Sequence, residues 1–255
     1  MDWRITYMEN NVWFPFANLN SNNLGVKQKV FCFHHAGGSA AIYRSWIMYG
    51  NDVDIYPVEL PGKGTRMKEE YITNYENLVP KIAEAINNVT NGEHFSLFGH
   101  SMGAIMAFKT AFLLETKHNN KADKLIVAGR HAPIDNILDR YQTWMNDKEL
   151  IKEIKRVNGT PKEILESEEI LKILLPAIKN DYKLNESFDY KDEVISSSII
   201  AHFGSEDLDA QKEQMERWKM VTTREFELKE FNGNHFFLYD LGEKYYNEVV
   251  KEILK

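Results

Sequence analysis

A chain of 255 residues can bury a large core, as one α/β domain or as two small ones, and its 43% hydrophobic and 27% charged residues exclude a disordered or fibrous protein. A formal net charge of −7 with no run of Lys and Arg argues against a nucleic-acid partner. Met1 to Phe16 carries charges and Asn throughout and builds no signal-peptide core, and no stretch has bilayer-spanning apolar length, so a cytoplasmic protein without membrane association is expected.

The first β-rich run is Val30 to Phe33. It holds Cys32, the only cysteine, which excludes an intramolecular disulfide and reads as a buried strand residue. Asp54 to Val58 is the second run. Tyr75, Leu78, Val79, Ile82, Ala83 and Ile86 then recur at helical spacing and predict one buried stripe. Strands are predicted over Phe95 to Phe98 and Lys124 to Ala128, with a helix over Ala104 to Leu114 between them. Residues 134–190 break the rhythm: rich in Lys, Glu, Ile and Leu, with Pro161 and Pro176, they predict several short helices and no strand. Strands resume at Ser198 to Phe203 and Glu225 to Phe231, and Leu241, Tyr245, Val249 and Ile253 line a final helix. The alternation predicts an α/β fold with a mostly parallel central sheet flanked by helices. We expect one domain over residues 1–255, with 134–190 inserted as a helical lid over the strand ends where ligands bind.

The strongest local signal is Gly99-His100-Ser101-Met102-Gly103, between a predicted strand and a predicted helix. A strand-turn-helix of this spacing strains the backbone at the serine, and only small residues two positions away avoid a clash. Ser101 is therefore the candidate nucleophile, with the Met102 N–H facing a developing oxyanion. This is the signature of the α/β-hydrolase fold, in which acid and histidine follow the serine in that order. His235, in Gly233-Asn234-His235-Phe236-Phe237 after the last strand, fits the base; His202, inside an apolar strand, reads as structural. The acid belongs after Phe203-Gly204, where Glu206, Asp207 and Asp209 are available. Asp207 is preferred, with Asp209 next. The second oxyanion donor is expected from His35-Ala36-Gly37-Gly38-Ser39-Ala40 after the first strand, with Ala36 N–H as the donor. His34 and His35 lack any paired ligand motif, and no metal is expected.

Beyond the serine motif, Phe33-His34-His35-Ala36-Gly37-Gly38-Ser39-Ala40, Glu59-Leu60-Pro61-Gly62-Lys63-Gly64-Thr65-Arg66, Gly129-Arg130-His131-Ala132-Pro133 and Gly233-Asn234-His235-Phe236-Phe237-Leu238 resemble, in order and spacing, the type II thioesterases of nonribosomal peptide and polyketide synthesis. Leu175 to Tyr182 is similar to that family's lid segment, whereas His34 stands where the family usually has Pro. The resemblance implies hydrolysis of acyl or aminoacyl thioesters from the phosphopantetheine arm of carrier proteins, with no cofactor of its own. It carries the triad roles to Ser101, Asp207 and His235 and the oxyanion donors to Ala36 and Met102. A monomer is expected. The competing readings are a carboxylesterase or lipase acting on a free ester, which would share the triad, and a non-catalytic module of the same fold, which should lack a triad member. Carrier proteins of this kind are generally acidic, so Lys152, Lys155 and Arg156, at i, i+3 and i+4 of one predicted helix, form a candidate docking face.

Overall fold

The computed structural model of the protein describes residues 11–20, 28–50, 52–135 and 139–255. In chain order the elements are β1 (Lys29–Phe33), α1 (Arg44–Tyr49), β2 (Asp54–Pro57), α2 (Tyr75–Thr90), β3 (Phe95–His100), α3 (Met102–His118) and β4 (Lys124–Ala128). There follow α4 (Asp147–Val157), α5 (Lys162–Leu165), α6 (Glu168–Glu186), β5 (Ser198–Gly204), α7 (Lys212–Glu216), β6 (Phe226–Phe231), α8 (Phe237–Leu241) and α9 (Glu243–Leu254). The strands form one sheet in the order β2-β1-β3-β4-β5-β6, and every neighbouring pair is parallel.

Helices on both faces explain why β1 and β3 read as unbroken apolar runs: every residue in them is buried. Alternate residues of β1 enter different cores. Phe31 and Phe33 pack with the stripe of α2 and with Phe108 of α3, while Val30 and Cys32 pack with Trp46 of α1 and Tyr245 and Val249 of α9. All six residues of the predicted α2 stripe are buried, and the Asn74 side chain caps that helix by accepting from Asn77 N–H.

The predicted terminal helix is two helices. Gly242, at φ +53°, turns the chain between α8 and α9, a conformation that a side chain resists. Between β4 and β5 come α4, α5 and α6, with a small core of their own built from Tyr141, Leu150, Ile154, Leu165, Leu175 and Ile178. Residues 136–138 of the expected insertion lie outside the described residues. Among the described residues no helix is long and apolar enough to cross a membrane.

Strand order reverses between β1 and β3, which opens a crevice beyond the carboxyl ends of those strands. The glycine-rich loop after β1 and Ser101 after β3 both lie at that point.

The core also holds uncharged imidazoles. Burial pushes His34, His100, His131 and His202 down to about 3, helped by the nearby charges of Lys63, His235, Arg130 and Lys229 respectively. His202 sits in β5 with its Nδ1 at 2.8 Å from the Tyr245 hydroxyl, in the structural role its apolar strand suggests. Below the ordinary imidazole value of 6.5 the unfolded chain takes up protons that the folded chain refuses, so stability falls as pH falls from there toward 3. Each such histidine withdraws up to about 1.4 kcal/mol per pH unit in that window. Urea unfolding midpoints should therefore drop steadily from pH 7 to pH 5, and a midpoint constant across that range would contradict the neutral buried state.

Candidate active site

Ser101 ends β3 and opens α3 with φ +56° and ψ −120°, a strained backbone for a residue with a side chain. Its N–H donates to the Ala128 carbonyl at 2.8 Å, so the elbow is anchored to β4. The two flanking glycines have separate steric reasons. A Cβ on Gly99 would strike the Gly103 carbonyl and come within 2.7 Å of Ala104 Cα; one on Gly103 would strike the Phe33 carbonyl at the end of β1 and approach His34 O to 2.8 Å. Helix α3 thus begins in contact with the neighbouring strand.

The loops after β5 and β6 are stitched together by backbone bonds, Ser205 N–H to Phe231 O at 2.8 Å and Glu206 N–H to Gly233 O at 2.9 Å. Gly204 permits this, because a Cβ there would collide with the carbonyls of Gly233 and Asn234. The stitching carries Asp207 to His235, whose Nδ1–H donates to Asp207 Oδ2 at 2.8 Å. That bond leaves Nε2 as the nitrogen able to accept a proton. Asp207 Oδ1 accepts from Asp209 N–H at 2.9 Å. Burial alone would raise the Asp207 carboxyl, but the bond and charge of His235 and the Asp209 N–H outweigh it and hold the group below its ordinary value. The other two acids do not meet His235 in this way. Glu206 is exposed, and the Asp209 carboxylate binds Arg156 at 2.5 Å and faces Arg140 at 3.6 Å.

His100, beside the serine, is fully buried and lies 2.9 Å from the His235 carbonyl through Nε2. A carbonyl only accepts, so Nε2 carries the proton and His100 is a neutral donor. Ala36 follows β1 in the glycine-rich loop, and Met102 is the first residue of α3, where backbone N–H groups lack helical partners. Ala40 N–H donates to Glu59 Oε1 at 3.1 Å, and Thr65 N–H to Glu59 Oε2 at 3.2 Å, so the buried Glu59 ties that loop to the segment after β2.

A cavity of about 230 Å³ is lined by Ser101, His235, His35 and Ala36 among others. Its remaining walls mix the apolar Val157, Leu208 and Phe236 with balanced charges, Arg130, Arg140 and Arg156 against Asp139, Glu153 and Asp209. Arg130 pairs with Asp139 at 2.8 Å and Arg156 with Glu153 at 2.6 Å. Composition reveals these charges but not that they converge: five lie between Arg130 and Arg156, and Asp209 joins them from the loop after β5. Arg156 also corrects the expected docking face: it turns inward to Glu153 and Asp209, while Lys152 remains exposed beside Glu149. Spacing put the three cations on neighbouring positions of α4, but the acids that Arg156 can reach decide its direction. Among the described residues no group of three or more His, Cys, Asp or Glu side chains could hold a metal ion.

A parallel sheet in this order, with a serine on a strained strand-to-helix elbow and an Asp-His pair on the loops after its last two strands, is that of an α/β-hydrolase. Residues 28–255 match the thioesterase domain family, and the chain belongs to it; the protein is a thioester hydrolase. It is 34% identical over 232 residues to the gramicidin S biosynthesis protein GrsT of Aneurinibacillus migulanus, covering 90% of this chain and 89% of that protein. It is 30% identical over 228 residues to thioesterase PikA5 of Streptomyces venezuelae, covering 89% and 81%. The structure of BorB, a type II thioesterase from the borrelidin biosynthetic cluster, matches with a TM-score of 0.82 at 26% identity, covering 92% of this chain and 96% of that one.

The sterics of the elbow set an expectation for stability. Gly103→Ala should destabilise the fold by about 3 kcal/mol or more, since the obstacle is backbone. Gly92→Ala, at φ +81° with open space around it, should cost only about 1 kcal/mol. Denaturant unfolding of the two variants checks this, and equal losses would show that contact with β1 is not what excludes a side chain at Gly103.

Proposed function

We propose that the protein is a stand-alone, type II thioesterase that hydrolyses acyl and aminoacyl groups from the phosphopantetheine arm of carrier proteins, using Ser101, His235 and Asp207. The observation that carries this reading is the Asp207-His235 hydrogen bond at a cavity that also holds the strained Ser101. The relatives named for gramicidin S and borrelidin biosynthesis supply the carrier-bound substrate.

Ser101 Oγ attacks the thioester carbonyl carbon while its proton passes to His235 Nε2. Asp207 holds the imidazole tautomer and stabilises the imidazolium. The oxyanion is received by the N–H groups of Ala36 and Met102. Collapse of the tetrahedral intermediate expels the arm's sulfur, which takes the proton from His235, and leaves an acyl ester on Ser101. Water then attacks this ester with His235 again as base, releasing the acid and restoring the serine. A thiolate leaves readily, so this chemistry needs no cofactor. The chain works as one catalytic unit, and residues 134–190 act as its lid, since Glu153, Arg156, Tyr182 and Asn185 from that segment line the cavity.

Ser101→Ala and His235→Ala should each lower turnover of an acyl-carrier substrate by roughly four to six orders of magnitude. Asp207→Asn should lower it by about four orders. Asp209→Asn should be mild, because Arg156 keeps Glu153. A greater loss in Asp209→Asn than in Asp207→Asn, with both folded, would transfer the acid role; faster turnover of a simple activated ester than of the acyl carrier at matched concentrations would replace the substrate.

The paired charges in the cavity wall bear on the acyl group. An alkyl chain laid against them gains little from leaving water, whereas a short or amino-bearing group keeps polar partners. Acetyl and aminoacyl carriers should therefore exceed decanoyl carriers in kcat/KM by about tenfold or more. A panel of acyl groups on one carrier measures this, and a preference for the long chain would refute it.

A further inference from the structure

Two of the sequence blocks, Glu59 to Arg66 and Leu175 to Tyr182, have parts that hydrolysis itself does not use, and they meet at the glycine-rich loop. Asp181 of α6 is 3% exposed, and its Oδ2 accepts from Gly37 N–H at 2.6 Å. The same carboxylate pairs with Lys63, which is 5% exposed. One turn earlier on α6, Ile178 lies against Gly37 so closely that an added Cβ would come within 3.2 Å of its Cγ1. Gly37 stands at φ +85° and follows Ala36 directly.

The loop is thus held from two independent sides. Glu59, from the segment after β2, takes the Ala40 N–H; Asp181, from the helical segment between β4 and β5, takes the Gly37 N–H. The first tie belongs to the sheet body, but the second comes from α6. Moving α6 away would separate a buried ion pair, strand both charges and free the Gly37 N–H. The peptide that carries the Ala36 N–H would then lose the restraint next to it.

We propose that Lys63 and Asp181 form a latch that positions the oxyanion loop, so that the Ala36 donor is set for catalysis only while α6 is docked. Both are positioning residues, and the inference rests on Ala36 serving as an oxyanion donor. It separates two contributions of Asp181: its oxygen restrains Gly37, and its charge balances Lys63.

The test compares two double variants of the full chain that both remove the charges. Lys63→Met with Asp181→Leu deletes the acceptor for Gly37, whereas Lys63→Met with Asp181→Asn retains an amide oxygen there. Removing one oxyanion donor lowers kcat by about 10² to 10³, so the Leu pair should lose about a hundredfold in kcat with KM nearly unchanged. The Asn pair should recover most of that loss. Affinity for a trifluoromethyl ketone analogue of the acyl thioester, which mimics the tetrahedral intermediate, should fall in step with kcat/KM. A non-hydrolysable amide analogue should bind as before. Asp181→Asn alone, which is isosteric and preserves the fold if the Leu pair does not, should lower kcat about tenfold, as estimated from an uncompensated Lys63 beside the loop. Wild-type kcat in the folded Leu pair or in Asp181→Asn would overturn the latch, as would equal weakening of the two analogues. Undiminished turnover by Ser101→Ala would instead overturn the triad, whatever the latch variants do.

Discussion

The site depends on one close approach. Helix α3 begins so near the end of β1 that Gly103 leaves no room for a side chain against the Phe33 carbonyl. With the Ala128 bond on its other side, that contact confines the turn from β3 into α3 and keeps Ser101 at positive φ. It also brings the first N–H groups of α3 beside the loop that leaves β1. The proposed nucleophile and the start of α3 are thus brought beside the loop that carries Ala36, which Glu59 and Asp181 hold in turn.

The proposed base and acid are assembled by another route. Backbone bonds between the loops after β5 and β6 bring Asp207 against His235, and Gly204 is where the two backbones come nearest. The surroundings are rich in imidazoles that stay uncharged. His34, His35 and His100 are all displaced toward the neutral form, mainly by burial. Such rings fill space and make hydrogen bonds without setting a permanent cation beside the proposed base, so they do not compete for the proton that the proposed chemistry moves. The fixed charges instead stand in the cavity wall, paired with each other.

What could be read from the amino-acid order was what depends on local geometry. The apolar runs of β1 and β3, the stripe of α2 and the Gly-x-Ser-x-Gly turn are local patterns, and the structure has them where expected. The proposed triad of Ser101, Asp207 and His235 rests on a motif, a glycine turn and the order of strands. Less was legible where two distant segments settle an orientation. Arg156 has the spacing of a surface residue and turns inward because Glu153 and Asp209 are both within reach. The partners of Asp181 are 118 and 144 positions away, and no periodicity could reveal them. Gly242 lies within an otherwise helical pattern, and only its positive φ shows that the last helix is two.

His100 stands beside Ser101 for a mechanical reason. It is joined to Ser101 by a peptide bond and to the carbonyl of His235 by a hydrogen bond of 2.9 Å, and its ring is sealed in the interior. Ser101 and His235, far apart in sequence, are therefore mounted on a common strut. The elbow and the loop that carries His235 are thereby coupled through one buried side chain. His100 thus ties together the two segments on which the proposed proton transfer depends, through a side chain that exchanges no proton itself.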